Sequence, residues 1–223
     1  MGSPATEPGR ETQEQAHQVT LTRPFWLGAF EVTQREWMTV MGTNPSRFID
    51  GGDLRPVENV SWLEVQAFLG RLADRSSGQR FRLPTEAEWE YACRAGTTSA
   101  YASGALLSHD AANFAISPES AARGEGSTRA VGSYAANPWG FFDMHGNVWE
   151  WTSDEYCPYA NGEANDPAPA CGAPLKVIRG GSWYFGADSA RCALRYTHRP
   201  GDRGFSLGFR LVREEAEPQS AAQ

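Results

Sequence analysis

The chain contains no apolar run near the roughly 20 residues that span a bilayer, and its N-terminus lacks the apolar core of a signal peptide. It also contains no run of lysines or arginines, and its 20 basic residues are outnumbered by 27 acidic ones. Nucleic-acid binding needs a basic patch, so this composition argues against it. We therefore expect a protein without a membrane span or nucleic-acid surface, whose clefts suit cations.

Histidine and cysteine, which build many transition-metal and redox sites, are also few. The four histidines have no spacing that would place two on one helical face: His17, His109, His145 and His198. A mononuclear iron site needs clustered His and Glu ligands, so hydrogen-bonded or solvent-facing histidines are expected. Ser182 is not predicted to be a hydrolase nucleophile, because no Gly-x-Ser-x-Gly elbow surrounds it. The sequence therefore predicts no catalytic residue.

Regular secondary structure is predicted mainly in the first half of the chain. Short strands are expected near residues 19–22 and 25–32. Three segments match the capping box, in which a hydroxyl and a glutamate three residues later cap a helix: Thr33–Glu36, Ser61–Glu64 and Thr85–Glu88. From residue 95 onward, glycine, proline and serine interrupt short apolar runs, and no helix is predicted. A length of 223 residues suits one domain with its own core.

The segment Trp139–Trp151 combines two acids and a glycine turn between large aromatic residues. Calcium takes carboxylate and backbone carbonyl oxygens from a flexible loop. Asp143 and Glu150 can supply side chains, and a bend at Gly146 can turn inward its own carbonyl and that of Val148. A carboxylate held against the core needs a partner or a metal. We therefore predict a calcium site at these four residues.

Several ordered motifs make the chain resemble the sulfatase-modifying factor family, whose best-known members are formylglycine-generating enzymes. The motifs are Glu31–Gln34, Arg55–Trp62, Arg82–Gly96, Trp139–Trp151, Arg179–Trp183, Arg191–Arg195 and Leu207–Val212. The resemblance implies an α+β domain of the C-type-lectin-like fold, with little regular secondary structure, over residues 1–213. Residues 214–223 are expected to form a disordered polar tail.

The resemblance also bears on the metal sites and on the N-terminus. The positions that match Asp143 to Glu150 hold calcium in the family, although the family often has asparagine where this chain has Asp143. A second family calcium site would begin at Asn113 and Phe114, but its downstream half is not recognisable in residues 124–130. Met1-Gly-Ser reads like an internal family segment, so we expect that an opening strand is missing or replaced and leave localisation open.

The cysteines separate this chain from the family's enzymes. Those enzymes bind Cu(I) through two cysteines shortly after the Gly-Gly-Ser motif, whereas residues 183–191 here contain none. Copper-dependent oxidation of a substrate cysteine is therefore not expected. Cys93 and Cys192 match positions that some members join in a disulfide, and Cys157 and Cys171 could close a proline-rich loop. Four free buried thiols, as in a reducing compartment, are the alternative.

Residues 184–206 mix aromatic, small and charged side chains, as recognition surfaces do, because rigid aromatic rings give contact area at low entropic cost. The candidate ligand-binding residues are Tyr184, Phe185, Asp188, Tyr196, His198 and Phe205. By resemblance, this segment is the diversified face in variable proteins of diversity-generating retroelements. Two functions remain open: a monomeric module that binds an unidentified protein or small molecule, and an oxidoreductase with a non-standard metal site. Ordinary loop packing is the simpler alternative for this segment.

Overall fold

The computed structural model describes residues 1–117, 126–160 and 162–214. Three α-helices lie in the first half: α1 Gln34–Met41, α2 Trp62–Arg75 and α3 Glu86–Arg94. Each begins after its predicted hydroxyl cap, and both hydrogen bonds of each capping box are formed. The local cap chemistry therefore sets all three starts. After residue 95 the described residues hold no α-helix, only a 3-10 helix at Ala187–Ala190.

The described strands are short and form three separate sheets. They are β1 Val19–Thr20, β2 Phe25–Leu27, β3 Phe81–Arg82, β4 Trp149–Glu155, β5 Ala164–Asn165, β6 Lys176–Arg179, β7 Tyr196–His198, β8 Leu207–Gly208 and β9 Val212–Glu214. The orders are β1-β5, β2-β9-β3 and β7-β6-β4-β8. Glu214, the first residue of the predicted tail, pairs with Phe25 at the end of β9. Residues 215–223 lie outside the described residues.

Tryptophans from β4 form the centre of the core. Trp149 and Trp151 are 3% and 0% exposed and pack with apolar residues of α1 and α2. The Trp151 indole donates to the Val60 carbonyl at 3.0 Å, so its polar atom is satisfied in the core. Trp62 at the start of α2 likewise donates to the Thr152 carbonyl at 3.0 Å. These bonds fix β4, and with it the segment that leads into the strand, against α2.

Buried ion pairs tie the long loops to this core. The pairs join Arg179 to Glu90, Arg191 to Glu14, Arg195 to Glu86 and Arg210 to Glu150, and all eight side chains are at most 2% exposed. Removing one partner of such a pair strands a buried charge, which costs more than the pair itself contributes. The network therefore holds the loop-rich half in one arrangement.

Two disulfides use all four cysteines. Cys93 at the end of α3 is joined to Cys192, 99 residues later, and Cys157 is joined to Cys171 across the proline-rich loop. Each bond restricts the unfolded chain, and this restriction typically stabilises the folded protein by about 2–4 kcal/mol. No helix in the described ranges is long and apolar enough to cross a membrane.

Candidate functional site

Five of the six candidate ligand-binding residues form two groups of rings that both pack on Trp149, and we call them together the aromatic face: Tyr184, Phe185, Tyr196, His198 and Phe205. The Tyr184 ring lies 5.5 Å from that of Phe185 and 5.8 Å from that of Phe205. Trp149 connects the two halves, because its ring is 5.7 Å from both Phe185 and Tyr196. Tyr196 in turn lies 6.1 Å from His198. Residues far apart in the sequence thus present two neighbouring groups of rings.

The aromatic face is accessible, and the side chains expected beneath it are buried. Phe185 and Tyr196 are 36% and 51% exposed, and the other three residues of the face are partly exposed. The residues expected to pack below are at most 3% exposed: Trp183, Arg191, Arg195, Leu207 and Phe209. Partly exposed rings and buried side chains thus alternate along this C-terminal part of the chain.

The turn at Gly180-Gly181 starts the segment that carries the face. Gly181 has φ +72°, and a Cβ there would lie 2.9 Å from the Cα of Ala190, so the close approach requires glycine. The Ser182 hydroxyl accepts from the amide of Tyr184 at 3.3 Å, which supports a role for this serine in the turn.

The structure does not place Asp188 among these rings. The residue belongs to the 3-10 helix, and its carboxyl group lies beside Gly9 of the N-terminal segment. Its negative charge contributes, after burial, to raising the pKa of Tyr101 to about 12. Asp188 is exposed, and its place in a ligand-binding surface stays a prediction.

The predicted calcium loop places both acids in or near the core, but Glu150 already has protein partners. Its carboxylate, 0% exposed, accepts from Arg210 Nε at 2.6 Å and Nη2 at 2.7 Å. Trp89 Nε1 donates to the same carboxylate at 2.7 Å. Asp143 has φ +55° and accepts from the amide of Gly132 at 2.7 Å. Sequence reasoning missed Arg210 and Trp89, which are 60 and 61 residues from Glu150.

Glu31 is a third buried acid beside this loop. Its carboxylate accepts from Asn147 Nδ2 at 2.7 Å and from the amide of Val148 at 3.3 Å. Burial raises the pKa of Glu31 well above its usual range, and the charges of Asp143 and Glu150 raise it further. The sequence feature that could have identified Glu31 as a buried acid is its position between two apolar residues, Phe30 and Val32. Three carboxylates thus surround one arginine here, although Glu31, Asp143 and Glu150 are not among the groups of potential metal ligands that the described residues bring together.

The residues of the second predicted calcium site lie in a different environment. Asn113 Nδ2 donates to the Ser127 carbonyl at 3.0 Å and to Asn147 Oδ1 at 3.2 Å. The Phe114 ring stacks on His109 with centroids 3.9 Å apart. Both residues line a cavity of about 310 Å³, and none of the described lining residues is acidic. The described lining therefore offers no carboxylate to a hard cation such as calcium, whose protein ligands commonly include carboxylates.

Two groups of potential metal ligands occur in the described part of the chain: Cys93, His145 and Cys192, and Glu155, Cys157 and Cys171. Each contains a disulfide, so neither offers a thiolate. In His145, Nδ1 lies 2.8 Å from the Ala190 carbonyl, and Nε2 accepts from the Ala102 amide at 3.0 Å. Burial lowers the pKa of His145 to about 4, so the ring is neutral at pH 7.

The architecture is the C-type-lectin-like fold of the formylglycine-generating-enzyme type. Residues 1–215 match the sulfatase-modifying factor enzyme 1-like domain, and the chain belongs to that family. The formylglycine-generating enzyme of Mycobacterium tuberculosis is 37% identical over 155 residues, covering 65% of this chain and 49% of that enzyme. The chain spans 24% to 49% of the length of the first curated relatives it matches.

Two solved structures resemble the whole described domain. Treponema denticola variable protein 1 has a TM-score of 0.81 and 28% identity, over 92% of this chain and 89% of that one. PvdO from Pseudomonas aeruginosa has the same TM-score and identity, over 96% of this chain and 90% of that one. The proteins similar to this chain therefore include both a formylglycine-generating enzyme and a variable protein.

Proposed function

We propose that this protein is a calcium-stabilised binding module that recognises a protein or small-molecule ligand through its aromatic face. The observation that carries the proposal is the pair of neighbouring groups of accessible rings that both pack on the buried Trp149. Exposed aromatic rings on a rigid support offer contact area with little loss of side-chain entropy on binding. Tyrosine and histidine add polar atoms that can orient a ligand.

The cysteines support binding over copper chemistry. Residues 183–191 contain no cysteine, and both cysteine pairs elsewhere are joined in disulfides. Cu(I) selects thiolate ligands, which this arrangement does not supply. The aromatic face therefore occupies the segment that follows Gly-Gly-Ser without the two thiolates that copper chemistry would need there.

Calcium has a stabilising role in this proposal. Asp143 and Glu150 would supply carboxylate oxygens, and Gly146 and Val148 would supply carbonyl oxygens, with Glu31 as an additional charge nearby. Support comes from three buried carboxylates that face the charge of Arg210. The ion would hold the loop that leads into Trp149, and Trp149 supports the aromatic face. Calcium would thus act on binding through the position of this tryptophan.

The test uses a random peptide library selected against the immobilised protein, followed by affinity measurements on variants. Tyr184→Ala, Phe185→Ala and Tyr196→Ala should each weaken selected peptides by at least about tenfold, since contact hot spots typically cost more than 1 kcal/mol. The matched control is Trp26→Ala, an aromatic residue 60% exposed outside the face. Unfolding midpoints should change little, because surface substitutions usually fall within about 0.5 kcal/mol. Equal weakening by Trp26→Ala, or none by the face variants, would refute the proposal.

Membership in a family that contains a formylglycine-generating enzyme favours one alternative, an oxidoreductase with a non-standard metal site. Copper or iron retained at one equivalent after purification would support this alternative. The likeness to a variable protein favours a more specific version of the binding proposal, in which residues 184–206 are diversified. That version requires a reverse transcriptase gene and an imperfect template repeat next to this gene.

A further inference from the structure

We propose that the cavity beside Asn113 and Phe114 binds a small organic acid through Arg55 and Arg129. This inference does not depend on the aromatic face. The cavity has a volume of about 310 Å³, enough for a small molecule rather than a bare ion. Its described lining contains two arginines and no acid, although acidic residues outnumber basic ones in the chain. We call it the arginine cavity.

Arg55 differs from the arginines that stabilise the fold. The four fully buried arginines each hold a buried glutamate: Arg179, Arg191, Arg195 and Arg210. Among the residues that the structure describes, no carboxylate forms an ion pair with Arg55. Its Nη1 has only long contacts of 3.4 and 3.3 Å to the hydroxyls of Ser127 and Thr128. Its Nε is buried without a hydrogen-bond partner in the described structure. Because no described carboxylate neutralises it, the positive charge of this guanidinium can attract an anion to the cavity.

The conformation of Arg55 is constrained before any ligand binds. A Cβ on Gly51 would lie 2.8 Å from Nη2 and 2.9 Å from Nε, so the guanidinium lies close against the glycine backbone. Its other side is directed to the hydroxyls of Ser127 and Thr128. A pre-positioned guanidinium loses less entropy on binding than a free side chain.

The remaining lining defines the class of ligand. Tyr134, Ser127 and Thr128 can donate hydroxyl hydrogen bonds to an oxyanion. Phe114, Ile116 and Trp183 add apolar surface, and Ile116 is 80% exposed. The combination suits a carboxylate or phosphate attached to a small apolar body. A free divalent cation is disfavoured, because two guanidinium groups would repel it.

The experiment measures binding of sodium benzoate, phenyl phosphate and neutral benzamide by isothermal titration calorimetry at pH 7. We expect benzoate or phenyl phosphate to bind at least about tenfold more tightly than benzamide, because charge-assisted bonds to the arginines require the oxyanion. Comparison of the two anions distinguishes a carboxylate ligand from a phosphate ligand. Binding should also weaken as salt is raised.

Variants separate this site from general electrostatic attraction. Arg55→Gln and Arg129→Gln should each weaken the anion by at least about tenfold. Arg80→Gln, an exposed arginine that does not line the cavity, changes the net charge equally and should leave affinity unchanged. Arg129 is exposed, so Arg129→Gln tests the site even where Arg55→Gln impairs folding. Equal binding of benzamide, equal weakening by Arg80→Gln, or no binding of either anion would overturn the proposal.

Discussion

Arg210 holds Glu150 through two hydrogen bonds, Nε to Oε2 at 2.6 Å and Nη2 to Oε1 at 2.7 Å, with both side chains 0% exposed. The same guanidinium donates to the carbonyls of Gly28 and Phe142, each at 3.0 Å. One side chain therefore connects β4 to the segments that contain Gly28 and Phe142. This contact fixes the orientation of the predicted calcium loop from outside the loop itself.

Replacing Arg210 should strongly destabilise the protein. Arg210→Met leaves the Glu150 carboxylate buried with Trp89 as its remaining side-chain donor, and breaking a buried pair typically costs about 3–5 kcal/mol. The double variant Arg210→Met with Glu150→Leu should recover part of this loss, because no charge is stranded. Urea unfolding measures both effects. Arg213→Met is the control: this neighbouring arginine contacts the exposed ring of Trp26 and should cost less than about 1 kcal/mol. Equal losses in the two arginine variants would contradict this account.

Calcium should raise the midpoint of thermal unfolding, and a chelator should lower it. Binding to the folded state alone contributes about 2.7 kcal/mol at a free concentration 100 times the Kd. Asp143→Gly, which removes the side-chain ligand, should abolish most of this effect while leaving Arg210 and Glu150 paired, and glycine tolerates the φ of +55° at this position. Asp110→Asn, an exposed acid elsewhere, should respond to calcium as the unmodified protein does. A midpoint insensitive to both calcium and chelator would exclude the site.

The protein should not convert the cysteine of a sulfatase peptide into formylglycine, even when Cu(I) is supplied. The physical reason is the lack of a thiolate in residues 183–191, together with the two disulfides that occupy all four cysteines. Mass spectrometry of the peptide measures the outcome, and a formylglycine-generating enzyme assayed in parallel confirms that the peptide is competent. Copper-dependent loss of the thiol with this protein would refute the expectation.

Stability should fall as the pH rises through neutrality, in part because of Glu58. This side chain is 0% exposed, its Oε1 accepts from the amide of Phe48 at 2.9 Å, and burial raises its pKa to about 7. A carboxyl group with a raised folded pKa contributes stability below its unfolded pKa of about 4.3 and loses it as the pH passes about 7. Asp154, whose pKa burial also raises to about 7, contributes to the same decline.

Glu58→Gln should therefore flatten the decline between about pH 5 and pH 8 and should stabilise the protein at pH 8 by on the order of 2 kcal/mol. Urea unfolding across this range measures the effect, with exposed Glu163→Gln as the control. Parallel pH profiles for the unmodified protein and Glu58→Gln would show that this carboxyl group does not titrate in the window. The Phe48 ring also packs against Trp183, with centroids 5.2 Å apart, and Trp183 contacts Phe205 of the aromatic face. Ionisation of Glu58 therefore takes place next to residues that support this face.

The elements that the sequence predicted well depend on short-range chemistry. Thr33, Ser61 and Thr85 each cap a helix with a glutamate three residues away, so the pattern and the bonds lie within one turn. The lack of α-helix in the described residues after 95 follows equally locally from glycine and proline.

By itself, the sequence determined the helix starts, the loop-rich second half and the lack of thiolates after Gly-Gly-Ser. Only the tertiary structure decided which charges meet, because ion pairs and cavities join residues whose separation leaves no local pattern. Arg210 reaches Glu150 across 60 residues, and Arg55 reaches Thr128 across 73. The first contact pairs Glu150, a predicted calcium ligand, with an arginine. The second holds the positive charge of Arg55 in the cavity where a second calcium ion had been expected.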